Sequence, residues 1–129
     1  DDRLHPKTFV LGVEYENKFI AFPLGTISEE PVLNYQNDDT NLLIIYNPNS
    51  NSGIAFNRQA GELILTFEIV EENKTITDAE TGSIWNQFTG EAIEGAMTGT
   101  KLKRVKSTIS FWFAWKDFYQ DTLIYGIDS

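Results

Sequence analysis

A single imidazole, a surplus of carboxylates and one run of alternating asparagines are the groups in this chain equipped to do chemistry. His5 sits beside Pro6 in the N-terminal segment, where chains are seldom held firmly. No G-x-S-x-G elbow accompanies it, and a hydroxyl without an activating base is a poor nucleophile. A Ser-His-Asp reading is therefore set aside. Two carboxyls about 5–10 Å apart can hydrolyse a glycoside, and Glu14/Glu16, Glu29/Glu30, Asp38/Asp39, Glu71/Glu72 and Asp78/Glu80 all qualify by spacing. With 19 acids in 129 residues, chance proximity is expected, and a solvated turn accounts for most of these pairs. Only an environment that splits the two pKa values would mark a working pair. Glu30 with Asp38 or Asp39 is the pair that a carboxylate hydrolase or lyase would use, with Trp85 or a late aromatic helix flanking its cleft.

Asn47-x-Asn49-x-Asn51 has the first, third and fifth spacing of a calcium loop. Such a loop wants Gly sixth and a bidentate Glu twelfth, whereas Ser52 and Arg58 stand there. Three neutral amides supply little charge, so an Asx-rich turn is the simpler reading. A hard-cation module would need Glu30 to join Asn47 and Asn49, with Ser50 beside them. Trp85, Trp112 and Trp115 could stack on sugar rings or on another protein. Aromatics at helical spacing are more often core, since each buries on the order of 150–250 Å². Phe111, Trp112 and Trp115 are assigned to the core on that ground. Lys101, Lys103, Arg104, Lys106 and Lys116 are half of the 10 basic residues, with no acid among them. They form either a solvated strand face or a docking patch for something acidic.

The elements that must position these groups read as short strands. Phe9–Tyr15 and Phe19–Pro23 flank a turn at Glu16-Asn17-Lys18 and make a hairpin. Pro23 cannot donate to a ladder and ends its strand. Ser28 is placed to cap a helical turn with Pro31 in its first turn. Asn41–Tyr46 is a compact apolar run, as expected of a central strand covered on both faces. The turn-rich stretch from Asn47 to Gly53 leads into Ile54-Ala55-Phe56. Glu62–Val70 alternates, placing Leu63, Leu65, Phe67 and Ile69 on one face. Thr75-Ile76-Thr77, Ser83–Asn86 and Lys101–Val105 continue a meander. Phe111, Trp112, Trp115, Phe118 and Tyr119 make the stripe of a short amphipathic helix, with Ser107 or Thr108 as its N-cap. Thr122–Tyr125 closes the chain as a strand. The fold class expected is mainly β: an antiparallel barrel or sandwich of short strands and hairpins with one short C-terminal amphipathic helix, in a single domain over residues 1–129.

Composition narrows the partners. Ten basic against 19 acidic residues leave a net charge of −9, which repels phosphate backbones and anionic lipid, so no nucleic acid partner is expected. The absence of cysteine removes thiol nucleophiles, zinc ribbons and redox pairs. A chain of this length buries roughly two-thirds of its unfolded surface, enough to fold with no cofactor. No apolar run approaches the roughly 20 residues of a membrane span. Asp1-Asp2-Arg3-Leu4 lacks a basic n-region and an apolar h-region, as expected of a trimmed mature form or an excised domain. The triplet Asn73-Lys74-Thr75 carries no weight as a glycosylation site, and no repeat suggests a solenoid or propeller.

Several stretches resemble a known family. They are His5-Pro6-Lys7-Thr8-x-Val10-x-Gly12-Val13, Ala21-Phe22-Pro23-Leu24, Asp78-x-Glu80-Thr81-Gly82-Ser83-x-Trp85-Asn86-x-x-Thr89-Gly90-Glu91-Ala92, Gly99-Thr100-x-Leu102 and Phe111-Trp112-Phe113-Ala114-Trp115-x-Asp117-Phe118-x-x-Asp121-Thr122-x-x-Tyr125-Gly126. Together they are similar to the bacterial and archaeal family called domain of unknown function 3179. Members often carry Tyr-Cys-Pro-x-Cys-Gly-Ser after the central strand and an upstream Trp-His-Glu, a combination that implies a Cys/His metal or redox centre. Here the cysteine positions fall on Asn47 and Ser50, and the Trp-His-Glu positions on Glu29, Glu30 and Pro31. Amide, hydroxyl and carboxylate oxygens do not hold a soft metal. The resemblance thus implies a divergent member with an oxygen-lined pocket or a lost centre, and an exported, extracytoplasmic location.

The function expected is a non-enzymatic binding or docking domain for a small molecule or a protein. Its candidate site is the polar loop from Asn47 through Asn49 and Ser50 to Ser52, with Glu30 and Asn34 at the same rim and Trp85 nearby. No metal or cofactor is expected.

Overall fold

The structure, a computed structural model, describes residues 2–128. Strands β1 (Phe9–Tyr15) and β2 (Lys18–Pro23) form the expected hairpin. Its turn residues Glu16 and Asn17 both have positive φ, 46° and 66°, the backbone of a type I′ turn that matches strand twist. Helix α1 (Leu24–Ser28) follows at once, burying Leu24 and Ile27. This corrects the reading of Ser28 as an N-cap. Pro23 lacks an N–H to lose and takes the cap position, and Ser28 ends the helix with its hydroxyl bonded to the Gly25 carbonyl at 2.7 Å. Pro31 lies beyond the helix, where its carbonyl accepts the Tyr46 N–H at 2.9 Å.

Strands β3 (Val32–Asn37), β4 (Thr40–Asn47) and β5 (Ser52–Asn57) run antiparallel in sequence order. β4 is covered on both faces, as its unbroken apolar run requires. Leu42 and Ile44 enter one cluster with Leu11, Ile20 and Phe22, while Leu43 and Ile45 enter a second with Phe56, Phe67 and Trp85.

The expected strand Glu62–Val70 is two strands. β6 (Gln59–Ala60) pairs with β7 (Leu63–Ile64), and β8 (Phe67–Glu71) pairs with β9 (Thr75–Asp78). Only Leu65 and Phe67 face the core, and Leu63 and Ile69 are exposed. The chain changes partners at Leu65-Thr66, so the alternation does not describe one continuous face. β10 (Ile84–Asn86) and β11 (Ala92–Glu94) complete a four-stranded sheet in the order β11-β10-β9-β8.

β12 (Arg104–Phe111) is longer than expected; it pairs with β1 from Lys106 to Phe111 and with β5 at Arg104 and Val105. Ser107 and Thr108 therefore lie in a strand and do not cap the helix. Helix α2 (Trp112–Phe118) begins directly after it, and its first N–H groups are satisfied by the N-terminal segment: Trp112 N–H by the Thr8 carbonyl at 2.8 Å and Phe113 N–H by the Pro6 carbonyl at 3.0 Å. Trp112 and Trp115 are buried, but Phe111 is 37% exposed, which removes it from the core. β13 (Leu123–Ile124) pairs parallel to β2 at the edge.

The large sheet runs β13-β2-β1-β12-β5-β4-β3 and curls into a half-barrel. The fold is mainly β, as expected, with two short helices and a barrel that stays half-open.

Candidate functional site

The rim chosen from the sequence assembles only in part. Tyr46 N–H bonds the Pro31 carbonyl, extending the β3–β4 ladder so that Glu30 and Asn47 flank the same strand ends. Glu30 Oε1 accepts the Tyr125 hydroxyl at 3.1 Å. Burial and this carboxylate together raise the Tyr125 pKa. Asn47 Oδ1 accepts the Asn49 N–H at 3.0 Å, an Asx turn, and Tyr46 Oη bonds Asn51 Oδ1 at 2.7 Å. Ser50 and Ser52 hydroxyls lie 2.6 Å apart. The loop therefore spends much of its polar chemistry on its own turn. No group of three or more His, Cys, Asp or Glu side chains among the described residues could hold a metal ion.

Asn34 and Trp85 stand elsewhere. The Asn34 amide clamps the backbone of Phe67 and so joins β3 to β8. Trp85 is fully buried, and its indole N–H donates to Asp78 Oδ2 at 2.8 Å. Asp78 is 1% exposed and also receives the Thr81 N–H and the Thr81 hydroxyl. Ser83 Oγ lies 2.8 Å from Thr81 Oγ1 and accepts the Met97 N–H at 3.0 Å. Burial pushes the Asp78 carboxyl up, and the hydrogen bonds from Trp85, Thr81 and Gly82 outweigh that, holding it below the ordinary carboxylate range. The Asp-x-Glu-Thr-Gly-Ser-x-Trp segment is thus a buried polar knot that fastens the β9–β10 turn. Glu80 adds to it by accepting the Thr66 N–H at 2.7 Å.

Glu30 precedes β3 and Asp38 follows it. A strand of six residues spans about 20 Å, beyond the 5–10 Å of a carboxylate pair. Asp38 instead lines a 360 Å³ cleft with Lys18 and Asp121. His5 Nδ1 accepts the Lys7 N–H at 3.1 Å and serves its local turn. Arg58, met in the sequence only as the wrong residue for a calcium loop, is buried. Its guanidinium donates to the Leu65 carbonyl at 2.8 Å and the Tyr35 carbonyl at 3.1 Å. Desolvation lowers its pKa, with Glu80 acting in the opposite sense.

The surface least explained by folding is apolar. Phe9, Phe111 and Phe113 stack in a row, with ring centroids 4.5 and 5.8 Å apart, and they are 47%, 37% and 50% exposed. Ile109 is exposed on β12, and Phe118 projects 83% exposed from the end of α2. Between α2 and β12 runs an open groove of 280 Å³ lined by Thr108, Ser110, Ala114, Phe118 and Tyr119, among others. In the sequence, the helical stripe and the basic run from Lys101 to Lys116 point to this region, and the aromatic spacing taken alone predicts core.

This surface belongs to a β-rich half-barrel whose polar motif is structural. The chain belongs to the family of proteins of unknown function DUF3179, which it matches over residues 1–124. No curated protein and no solved structure matches it.

Proposed function

We propose that this protein is a non-enzymatic docking domain that acts outside the cytoplasm and binds another protein through the apolar surface at β12 and α2. The observation that carries the reading is the exposed Phe9-Phe111-Phe113 stack. Contiguous exposed aromatics on a folded domain are costly to solubility and mark interaction surfaces. Two further facts support it: the Asp78–Trp85 motif is consumed in holding the fold, and Glu30 and Asp38 lie at opposite ends of a strand. The extracytoplasmic location draws support from the likeness to exported members of the family. No helix among the described residues is long and apolar enough to cross a membrane.

The test is a photo-crosslinking residue placed at position 113, and separately at the exposed position 72, in cells that make the protein naturally. A discrete adduct from position 113 and none from position 72 is the expected result. Equal adducts from both, or none from either, would overturn the reading.

A further inference from the structure

β12 is paired on one side only for most of its length. β1 covers it from Lys106 to Phe111, but β5 meets it only at Arg104 and Val105. The ladder fixes which groups are left over. Trp112 N–H bonds the Thr8 carbonyl, so the pairs in register with it, Val10 with Ser110 and Gly12 with Thr108, exchange hydrogen bonds. The alternate residues Ser107 and Ile109 therefore turn their N–H and C=O groups away from β1, towards an edge that no described strand occupies, and Phe111 adds its N–H, its carbonyl being taken by the start of α2 and by the Ser110 hydroxyl at 3.0 Å.

The side chains along this edge are sorted by face. Val105, Ile109 and Phe111 lie on one face and Arg104 and Lys106 on the other. Lys106 reaches Glu14 at 3.0 Å, whereas Lys101, Lys103 and Arg104 are exposed and make no ion pair among the described residues. This positive corner stands on a chain of net charge −9. An incoming strand would lay side chains over Ile109 and Phe111 on one face and, from its alternate positions, into the groove beside Thr108, Ser110 and Phe118 on the other, with positive charge at the Arg104 end.

We propose that the open edge of β12 takes an extended peptide segment of a partner protein by strand addition. The segment is apolar along Ser107–Phe111 and acidic beside Arg104 and Lys106. The proposal rests on the docking reading above and names the mode and chemistry of the partner. Main-chain hydrogen bonds to Ser107, Ile109 and the Phe111 N–H would supply affinity, and the charge at one end would set direction and register.

The experiment uses fluorescein-labelled Val-Phe-Val-Thr-Glu-Glu and its reversed sequence, titrated with the whole protein by fluorescence anisotropy. Saturable binding of either peptide is expected, weakened by salt and absent when the two Glu are replaced by Lys. Ile109→Pro removes an N–H that faces away from β1, so it keeps the β1–β12 ladder while weakening peptide binding about tenfold. An unchanged melting temperature with that loss supports strand addition. If Ile109→Pro unfolds the protein, Arg104→Glu carries the test through loss of binding to the acidic peptides. No saturable binding up to about 1 mM of either peptide overturns the proposal and leaves Lys106 as a charge that guards a bare edge. An adduct from position 113 without peptide binding would sink strand addition alone, and peptide binding without the adduct would sink the cellular docking reading alone.

Discussion

The side-chain amide of Asn34 holds the backbone of Phe67 at both ends: Nδ2 donates to the Phe67 carbonyl at 2.8 Å and Oδ1 accepts the Phe67 N–H at 2.8 Å. One side chain thereby does the work of a neighbouring strand and ties the half-barrel to the smaller sheet. Phe67 is buried and rests edge-on against Trp85, with centroids 5.6 Å apart, so the clamp also sets the second core cluster. Asn34→Ala strands a backbone donor and acceptor and should destabilise by about 2 kcal/mol, read by urea unfolding. Asn34→Asp, which can accept but not donate while ionised, should lose less. Equal stability of all three proteins would show the clamp to be idle.

Removing the Trp85 ring empties the centre of the same cluster. Trp85→Ala should cost about 3–5 kcal/mol, and Trp85→Phe less, although Phe leaves Asp78 short of one donor. A Trp85→Ala protein as stable as the parent would contradict its core role.

The Asp78 carboxyl gives stability a pH dependence. Its folded pKa lies below its unfolded value, so the contribution is complete above the ordinary carboxylate pKa and is lost as pH falls through the folded value. Melting temperature should fall on acidification below about pH 4, and Asp78→Asn should flatten part of that slope. Identical slopes in the two proteins would refute the assignment.

Gly12 is required because Trp115 lies on it. A β-carbon at position 12 would sit 2.2 Å from the Trp115 ring, and the indole cannot retreat without giving up its 2.8 Å bond to Thr122 Oγ1. Gly12→Ala should destabilise by about 1–3 kcal/mol in thermal or denaturant unfolding. Combining it with Trp115→Phe should cost less than the sum of the two single changes.

Calcium and chelators should leave the melting temperature unchanged. No three His, Cys, Asp or Glu side chains gather among the described residues, and Asn47 Oδ1 and Glu30 Oε1 already accept the Asn49 N–H and the Tyr125 hydroxyl. A ligand at one hundred times its Kd would add about 2.7 kcal/mol, and a saturable rise of that kind would reinstate Glu30 and Asn47 as ligands.

Local patterning alone determined the β-rich class, the β1–β2 hairpin, the two-faced burial of β4 and the late aromatic helix. Each rests on contacts within a few residues or on periodicity that burial enforces. Family membership was also legible from contiguous strings, the Thr-Gly-Ser-x-Trp segment and the aromatic helix among them, and the family match over residues 1–124 agrees with it. What the sequence could not decide was which polar residue faces which neighbour. Asn34 and Arg58 look like surface groups until the fold brings the Phe67, Leu65 and Tyr35 backbones to them. Phe111 looks like core until β12 is seen to end there, with its ring on the open side. Glu30 and Asp38 look close in number, yet a strand holds them apart. Periodicity reports whether a residue is buried somewhere. Only the tertiary pairing of strands decides what it is buried against, and which edge is left without a partner.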